Sequence, residues 1–222
     1  MFESLYVAAI DADKRTSAYR DWKEEQDKLG RQILDRDDYA RIDDMATAIR
    51  AKSKASALLK LPGPCEAAAL WADPRTGIMC KAKIDKLCID ANIIVDFKTT
   101  NDASQDAFAN SIDKYGYDLQ AYWYTQAVLA TTGKTCAFVI VAVEKDDPYG
   151  VACYDMTPWL GYGEAKAKRA LDTIAHYRNN THGPWPSYAD SIEPLPVPYW
   201  IERKHVPYTN PWPTQADEDH PF

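Results

Sequence analysis

Two acids and a lysine in one short stretch carry the clearest chemistry in this chain. They are Asp85, Asp96 and Lys98, within KAKIDKLCIDANIIVDFKTT, residues 81–100. The stretch reads as two neighbouring strands joined by the turn DAN. Asp96 and Lys98 are two residues apart, so on a strand both point to one face, while Val95, Phe97 and Thr99 point to the other. Carboxylates hold hard divalent cations, and an ammonium beside them steadies an attacking water or a developing negative charge. The set suits metal-assisted phosphodiester hydrolysis. An ionised Asp96 between IIV and FKTT is costly unless paired, and Lys98 supplies the pair in either a structural or a catalytic reading.

The surrounding pattern shows what must position these groups. Residues 15–29 have helical character with Gly30 as a stop. Asp35 opens a second helix, and Asp38 three residues on makes an acidic variant of the capping box. Ser53 is expected to cap a short third helix that ends at LPGP. The period then changes. CEAAALWAD (65–73) and IMCKAKIDKLCI (78–89) flank the turn DPRTG, and IIVDFKTT follows, so residues 65–99 predict a three-stranded antiparallel meander. Helices are expected from Ser104 to about Lys114 and from Tyr117 to Gly133. TCAFVIVAVE (135–144) is the most apolar strand and is expected to be central, with GVACYDM as a fifth strand. Thr157 reads as the cap of a last helix, with Pro158 at its first position, running to about Asn180.

Composition narrows the function classes. A chain of 222 residues with 46% hydrophobic content can build one ordinary core with appendages. No apolar run approaches the roughly 20 residues of a membrane span, and the N-terminus lacks the basic start and apolar core of a signal peptide. Cys65, Cys80, Cys88, Cys136 and Cys153 sit in apolar segments without CxxC spacing, which points to reduced buried thiols rather than a zinc or iron–sulfur site. A net charge of −7 argues against a broadly basic nucleic-acid coat, but not against a nuclease whose acids bind metal. Charge is uneven: Lys81, Lys83 and Lys86 flank the candidate site, whereas ADEDHPF at the C-terminus holds three acids. Seven of the fourteen prolines lie between Pro194 and Pro221. The expected organisation is a domain over 1–204, with a helical N-terminal region (1–60) and a catalytic core (61–204), followed by a flexible tail over 205–222.

Helices, then three antiparallel strands, then a helix and a strand, with acids on the second and third strands, resembles the PD-(D/E)XK nuclease superfamily. Asp85 matches its first motif acid and Asp96-Phe97-Lys98 its second motif in the DxK form. A lone DxK triplet is weak; here it ends an apolar strand and precedes a helix bearing Gln120 and Tyr124. Those two are four apart and share a helix face. Q-x-x-x-Y downstream of DFKTT resembles the RecE and YqaJ branch, and the chain looks most like the RecE-type (exonuclease VIII-like) domain of phages and prophages over roughly residues 10–200.

The resemblance implies an α/β (α+β) restriction-endonuclease-like core, with a mixed sheet of about five strands flanked by helices. It implies a Mg²⁺-dependent 5′→3′ double-stranded DNA exonuclease, with Mn²⁺ substituting, that resects duplex ends for a single-strand annealing protein of the RecT type. It also implies the cytoplasm of a bacterial host and a homo-oligomeric ring of three or four copies. Carried over to this chain, Asp85, Asp96 and the main-chain carbonyl of Phe97 are metal ligands, and Lys98 orients or activates the water. Glu66 is a further acid able to bind a second metal or its water. Gln120 and Tyr124 position Lys98, the water or the scissile phosphate. One departure stands out: the family's helical N-terminal histidine has no counterpart, since no His precedes His176 and the chain begins after that region. Two other readings remain open: a structure- or sequence-specific endonuclease on the same core, and a catalytically impaired scaffold acting through its tail.

Other residues read more plainly. Tyr115, Tyr117, Tyr122 and Trp123 suit a core or a subunit interface, His176 and His182 are structural, and Asp90 and Asp102 belong to a turn and a helix start. The ending DEDHPF resembles the C-terminal tip of bacterial single-stranded DNA-binding proteins. There Phe222 and Pro221 would anchor in an apolar pocket while Asp217, Glu218 and Asp219 meet basic residues. The partner would be the annealing protein or a host protein that binds such tips.

Overall fold

A computed structural model describes residues 2–178, 183, 185, 187–188 and 191–202. The chain divides into two compact units, 1–182 and 183–222. In the first, a four-residue helix α1 (Phe2–Leu5) leads into strand β1 (Tyr6–Ala8), helix α2 (Ser17–Lys28) and strand β2 (Gln32–Leu34). β1 and β2 pair in parallel as a small separate sheet that the sequence did not announce. Helices α3 (Arg36–Ala51) and α4 (Ser53–Lys60) follow. Asp35 caps α3 as expected, but onto the N–H of Asp37 at 3.0 Å, while Asp38 faces Arg41. Ser53 is inside α4, and Lys52 occupies the cap without a side-chain bond.

The main sheet is built from β3 (Cys65–Ala72), β4 (Met79–Cys88), β5 (Ile93–Thr100), β6 (Ala137–Glu144) and β7 (Val151–Asp155), in that spatial order. β3, β4 and β5 form the antiparallel meander. Between β5 and β6 run α5 (Gln105–Tyr115) and α6 (Tyr117–Thr132), and this long crossover makes β5 and β6 parallel. The sheet is therefore mixed and flanked by helices, as the sequence suggested. The middle strand is β5 rather than the more apolar β6. After β7 a 3₁₀ turn over Thr157–Trp159 precedes α7 (Leu160–Tyr177). Thr157 does not cap that helix; its N–H and Oγ1 both donate to Asp155 Oδ1, at 2.9 and 2.7 Å. In the second unit the described residues form one short helix, α8 (Tyr199–Glu202). Among the described residues no helix is long and apolar enough to cross a membrane.

Two apolar layers hold the sheet. On one face Trp71, Ile84, Ile94, Phe108, Phe138, Ile140 and Leu171 form the larger core beneath α5, α6 and α7. On the other, Ala55, Cys88, Val95 and Val141 pack with Leu58 and Phe97 under α3 and α4. β5 is buried from both sides, and its alternation divides it: Ile94 joins the first layer and Val95 the second. Asp96 has the parity of Ile94 and so lies under α6. Gly116, at φ 69°, ends α5 and starts α6 within a single left-handed residue. α6 and α7 approach so closely at Gly163 that a Cβ there would lie 2.1 Å from the Asp118 carbonyl oxygen.

Candidate active site

The β4–β5 ladder has its last pair at Lys86↔Val95, and there β4 parts from β5. One step further on, Asp85 stands beside Asp96 and Phe97. Its Oδ2 accepts a hydrogen bond from the Phe97 N–H at 3.1 Å, so a side chain replaces the strand partner that the backbone has lost. In a strand the N–H and C=O of one residue face the same edge, so the Phe97 carbonyl also faces the Asp85 side.

Asp96 is completely buried. Gln120 Nε2 donates to its Oδ1 at 2.8 Å. Its Oδ2 lies 2.5 Å from Lys98 Nζ, yet receives no well-aligned hydrogen bond from any described residue. Burial pushes the Asp96 carboxyl up to about 6; the Asp85 charge adds to this, while Lys98 and Gln120 oppose it. The side chain of Lys98 is 16% exposed, and its ammonium lies 5.0 Å from the centre of the Tyr117 ring. The chain thus holds a carboxylate where its ionised form is disfavoured, with one oxygen bonded to Gln120 and the other facing Lys98.

The helix that carries Gln120 is pinned to β4. Trp123 Nε1 donates to the Lys81 carbonyl at 3.0 Å, and its ring packs on Trp71 at 5.1 Å between centroids. Tyr124 is half-buried on the same helix, edge-on to Phe138. The sequence-nominated Asp85, Asp96, Lys98 and Gln120 are therefore brought together, with Tyr124 one turn along. Glu66 is not brought into this group. It lies between the pairs Cys65↔Lys86 and Ala67↔Ile84, opposite Asp85, but adopts a left-handed φ of 56°, and its exposed carboxylate pairs with Lys83. Among the described residues, no three His, Cys, Asp or Glu side chains converge as a metal-binding group. The tail residues Asp217, Glu218, Asp219, Pro221 and Phe222 lie outside the described residues.

Tyr117, a core or interface residue on the sequence reading, does pack against the core beside Phe108, and its ring also contacts Lys98. A signal for this exists in the sequence, since Tyr117 is three residues before Gln120 and so shares its helix face. Expected structural roles hold for Trp123, in the core contact above, and for Asp102, whose Oδ1 accepts from the Ser104 N–H ahead of α5.

The donor set fits a hard divalent cation. Two carboxylates and a main-chain carbonyl stand at the parting of the strands, the buried Asp96 Oδ2 has only the Lys98 ammonium beside it, and Mg²⁺-like ions keep several waters rather than demanding an all-protein cage.

Comparison with known proteins agrees with this geometry. The family model described as a PDDEXK-like domain of unknown function (DUF3799) matches residues 8–195. A crystal structure titled "Putative exonuclease" from Eubacterium rectale superposes with a TM-score of 0.58 at 17% identity, covering 85% of this chain and 74% of that one. A second, titled SSO0001, gives 0.35 at 14% identity, covering 74% and 65%. No curated protein matches the chain. The fold is that of the PD-(D/E)XK nucleases, which generally depend on a divalent metal, and this chain belongs to the PDDEXK-like domain family DUF3799.

Proposed function

We propose that this protein is a Mg²⁺-dependent 5′→3′ exonuclease of double-stranded DNA, of the RecE type, that resects duplex ends for single-strand annealing recombination. The observation that carries the reading is the buried Asp96 carboxylate facing Asp85 at the parting of two strands, with Lys98 at its side. A cation bound there supplies positive charge that favours an ionised water nucleophile and offsets charge developing on the phosphate.

The side chains have separable tasks in this reading. Asp85 is fixed through the Phe97 N–H and Asp96 through Gln120, so Asp85 Oδ1 and the Lys98-facing Asp96 Oδ2 are the oxygens that would take a cation. Lys98, steadied by Asp96 and Tyr117, holds the attacking water or the phosphoryl oxygen. Water attacks phosphorus as the bond to the 3′-oxygen breaks, and that oxygen takes a proton. A 5′-mononucleotide leaves, and the shortened strand keeps a 5′-phosphate. Tyr124 borders the same site from α6. Glu66 is engaged with Lys83 and stays out of the proposed ligand shell.

The wider biology belongs to the same proposal: a ring of copies around the duplex, and delivery of the single-stranded product to a RecT-type annealing protein or a host protein recognising Pro221-Phe222 and its acids. A nuclease assay tests the chemistry. Linear duplex with Mg²⁺ should yield mononucleotides and circular duplex should not; cutting of both would replace the exonuclease by an endonuclease of the same fold.

A further inference from the structure

We infer that the groove beyond Lys98, at the C-terminal end of β5, holds unpaired nucleotides of the strand being cut, with Tyr115 as the surface on which a base stacks. The inference rests on the nuclease reading and extends it from the scissile phosphate to the strand beside it.

The groove has a volume of about 580 Å³ and is lined by Thr99, Thr100, Asn110, Ser111, Lys114, Tyr115, Tyr117 and Lys145, among others. Its chemistry suits a sugar–phosphate chain: hydroxyls and amides for phosphate and sugar oxygens, and two lysines for charge. Asp102 is its one acid, and it is occupied with the Ser104 N–H. On a chain of net charge −7, such a lining is a local reversal of sign.

The groove is joined to the candidate active site by two neighbouring rings with a lysine at either end. Lys98 Nζ lies 5.0 Å from the Tyr117 centroid, Tyr117 lies 5.7 Å from Tyr115, and Lys114 Nζ lies 5.1 Å from Tyr115. Tyr115 is 59% exposed, so much of its ring is open, and Lys114 and Tyr117 hold it in place. A ring serving the core would be far less exposed. An exposed ring beside lysines is how proteins grip single strands without reading sequence. A duplex keeps its bases stacked on each other, so the ring selects nucleotides already freed from pairing.

The experiment uses the full chain in Ca²⁺ with a fluorescein-labelled twelve-residue oligothymidylate, read by anisotropy, alongside degradation of linear duplex in Mg²⁺. Tyr115→Ala should weaken oligothymidylate binding about tenfold or more and raise KM more than it lowers kcat. Lys114→Gln with Lys145→Gln should flatten the salt dependence of binding, by about 0.7 in log–log slope for each phosphate no longer neutralised. Tyr115→Phe keeps the ring and should bind like the parent, which separates stacking from loss of folding. If Tyr115→Ala and the lysine pair bind and cut like the parent, while Asp96→Asn cuts nothing, the groove inference is overturned and the nuclease reading stands. If the parent cuts no DNA but Tyr115→Ala still loses oligothymidylate, the groove stands and the nuclease reading fails.

Discussion

Among the described residues two aspartates are buried, each joined to a lysine, and they differ in what surrounds them. Asp96 pairs with Lys98 at 2.5 Å, and Asp118 with Lys166 at 2.8 Å. Asp118 is 1% exposed, in the seam where α6 and α7 close on Gly163. Lys166 is 37% exposed and also holds Asp113, so this pair clips helix to helix. No second carboxylate among the described residues shares the buried position of Asp118. Around Asp96, by contrast, a second acid stands across the parted strands and an amide fixes one oxygen, whereas neither oxygen of Asp118 receives a well-aligned hydrogen bond. A buried ion pair is therefore no mark of chemistry; the second carboxylate and the amide that orients the first are.

The contrast fails if the two pairs respond alike to substitution. Asp96→Asn and Lys98→Ala should each lower DNA hydrolysis on the order of 10³-fold, since each removes charge stabilisation at the reacting phosphate. Asp96→Asn should leave the metal-free melting temperature unchanged or higher, because the fold disfavours the ionised acid. Lys166→Ala should do the opposite. It strands the Asp118 carboxylate and should cost about 3 kcal/mol in urea unfolding, with hydrolysis per folded molecule retained. Gln120→Ala, which frees Asp96 Oδ1, should weaken metal binding or activity about 10- to 100-fold.

Acidity offers a finer distinction. Asp96 binds its proton more tightly folded than unfolded, with a folded value of about 6 against an ordinary 3.8. The metal-free protein should gain stability as pH falls from 7 through 6 towards 4, and lose it as pH rises again. A metal ligand must be ionised, so the melting-temperature gain from added Mg²⁺ should shrink over the same fall. Thermal scans with and without Mg²⁺ across that range read both. The smallest effect belongs to Glu66→Gln: the pair with Lys83 is exposed and screened by solvent, so stability should be nearly unchanged and hydrolysis should change by less than about threefold.

The meander and its acids are legible because the period changes at Cys65 and DPRTG marks the hairpin, so Asp85 and Asp96 fall on neighbouring strands. β1 and β2 are not, because three residues are too few to show a period. The centre of the sheet is misleading for a chemical reason. β6 is apolar throughout, whereas β5, which lies in the middle, carries Asp96 and Lys98 on one of its faces. The family resemblance implies that Gln120 positions Lys98, the water or the phosphate; the structure shows it bonded to Asp96. The left-handed turn at Glu66 has no glycine to announce it. The pairing of Asp118 with Lys166 joins residues on two helices, a contact no local pattern encodes.

The most direct measurement of the central claim is release of nucleotides from end-labelled linear duplex by the parent, Asp96→Asn and Lys98→Ala proteins, with Mg²⁺ and with EDTA. Release by the parent in Mg²⁺ alone, lost in both variants while all three remain folded, is the expected result. Equal release from all three, or none from the folded parent with Mg²⁺ or Mn²⁺, would contradict a hydrolytic site at Asp85, Asp96 and Lys98.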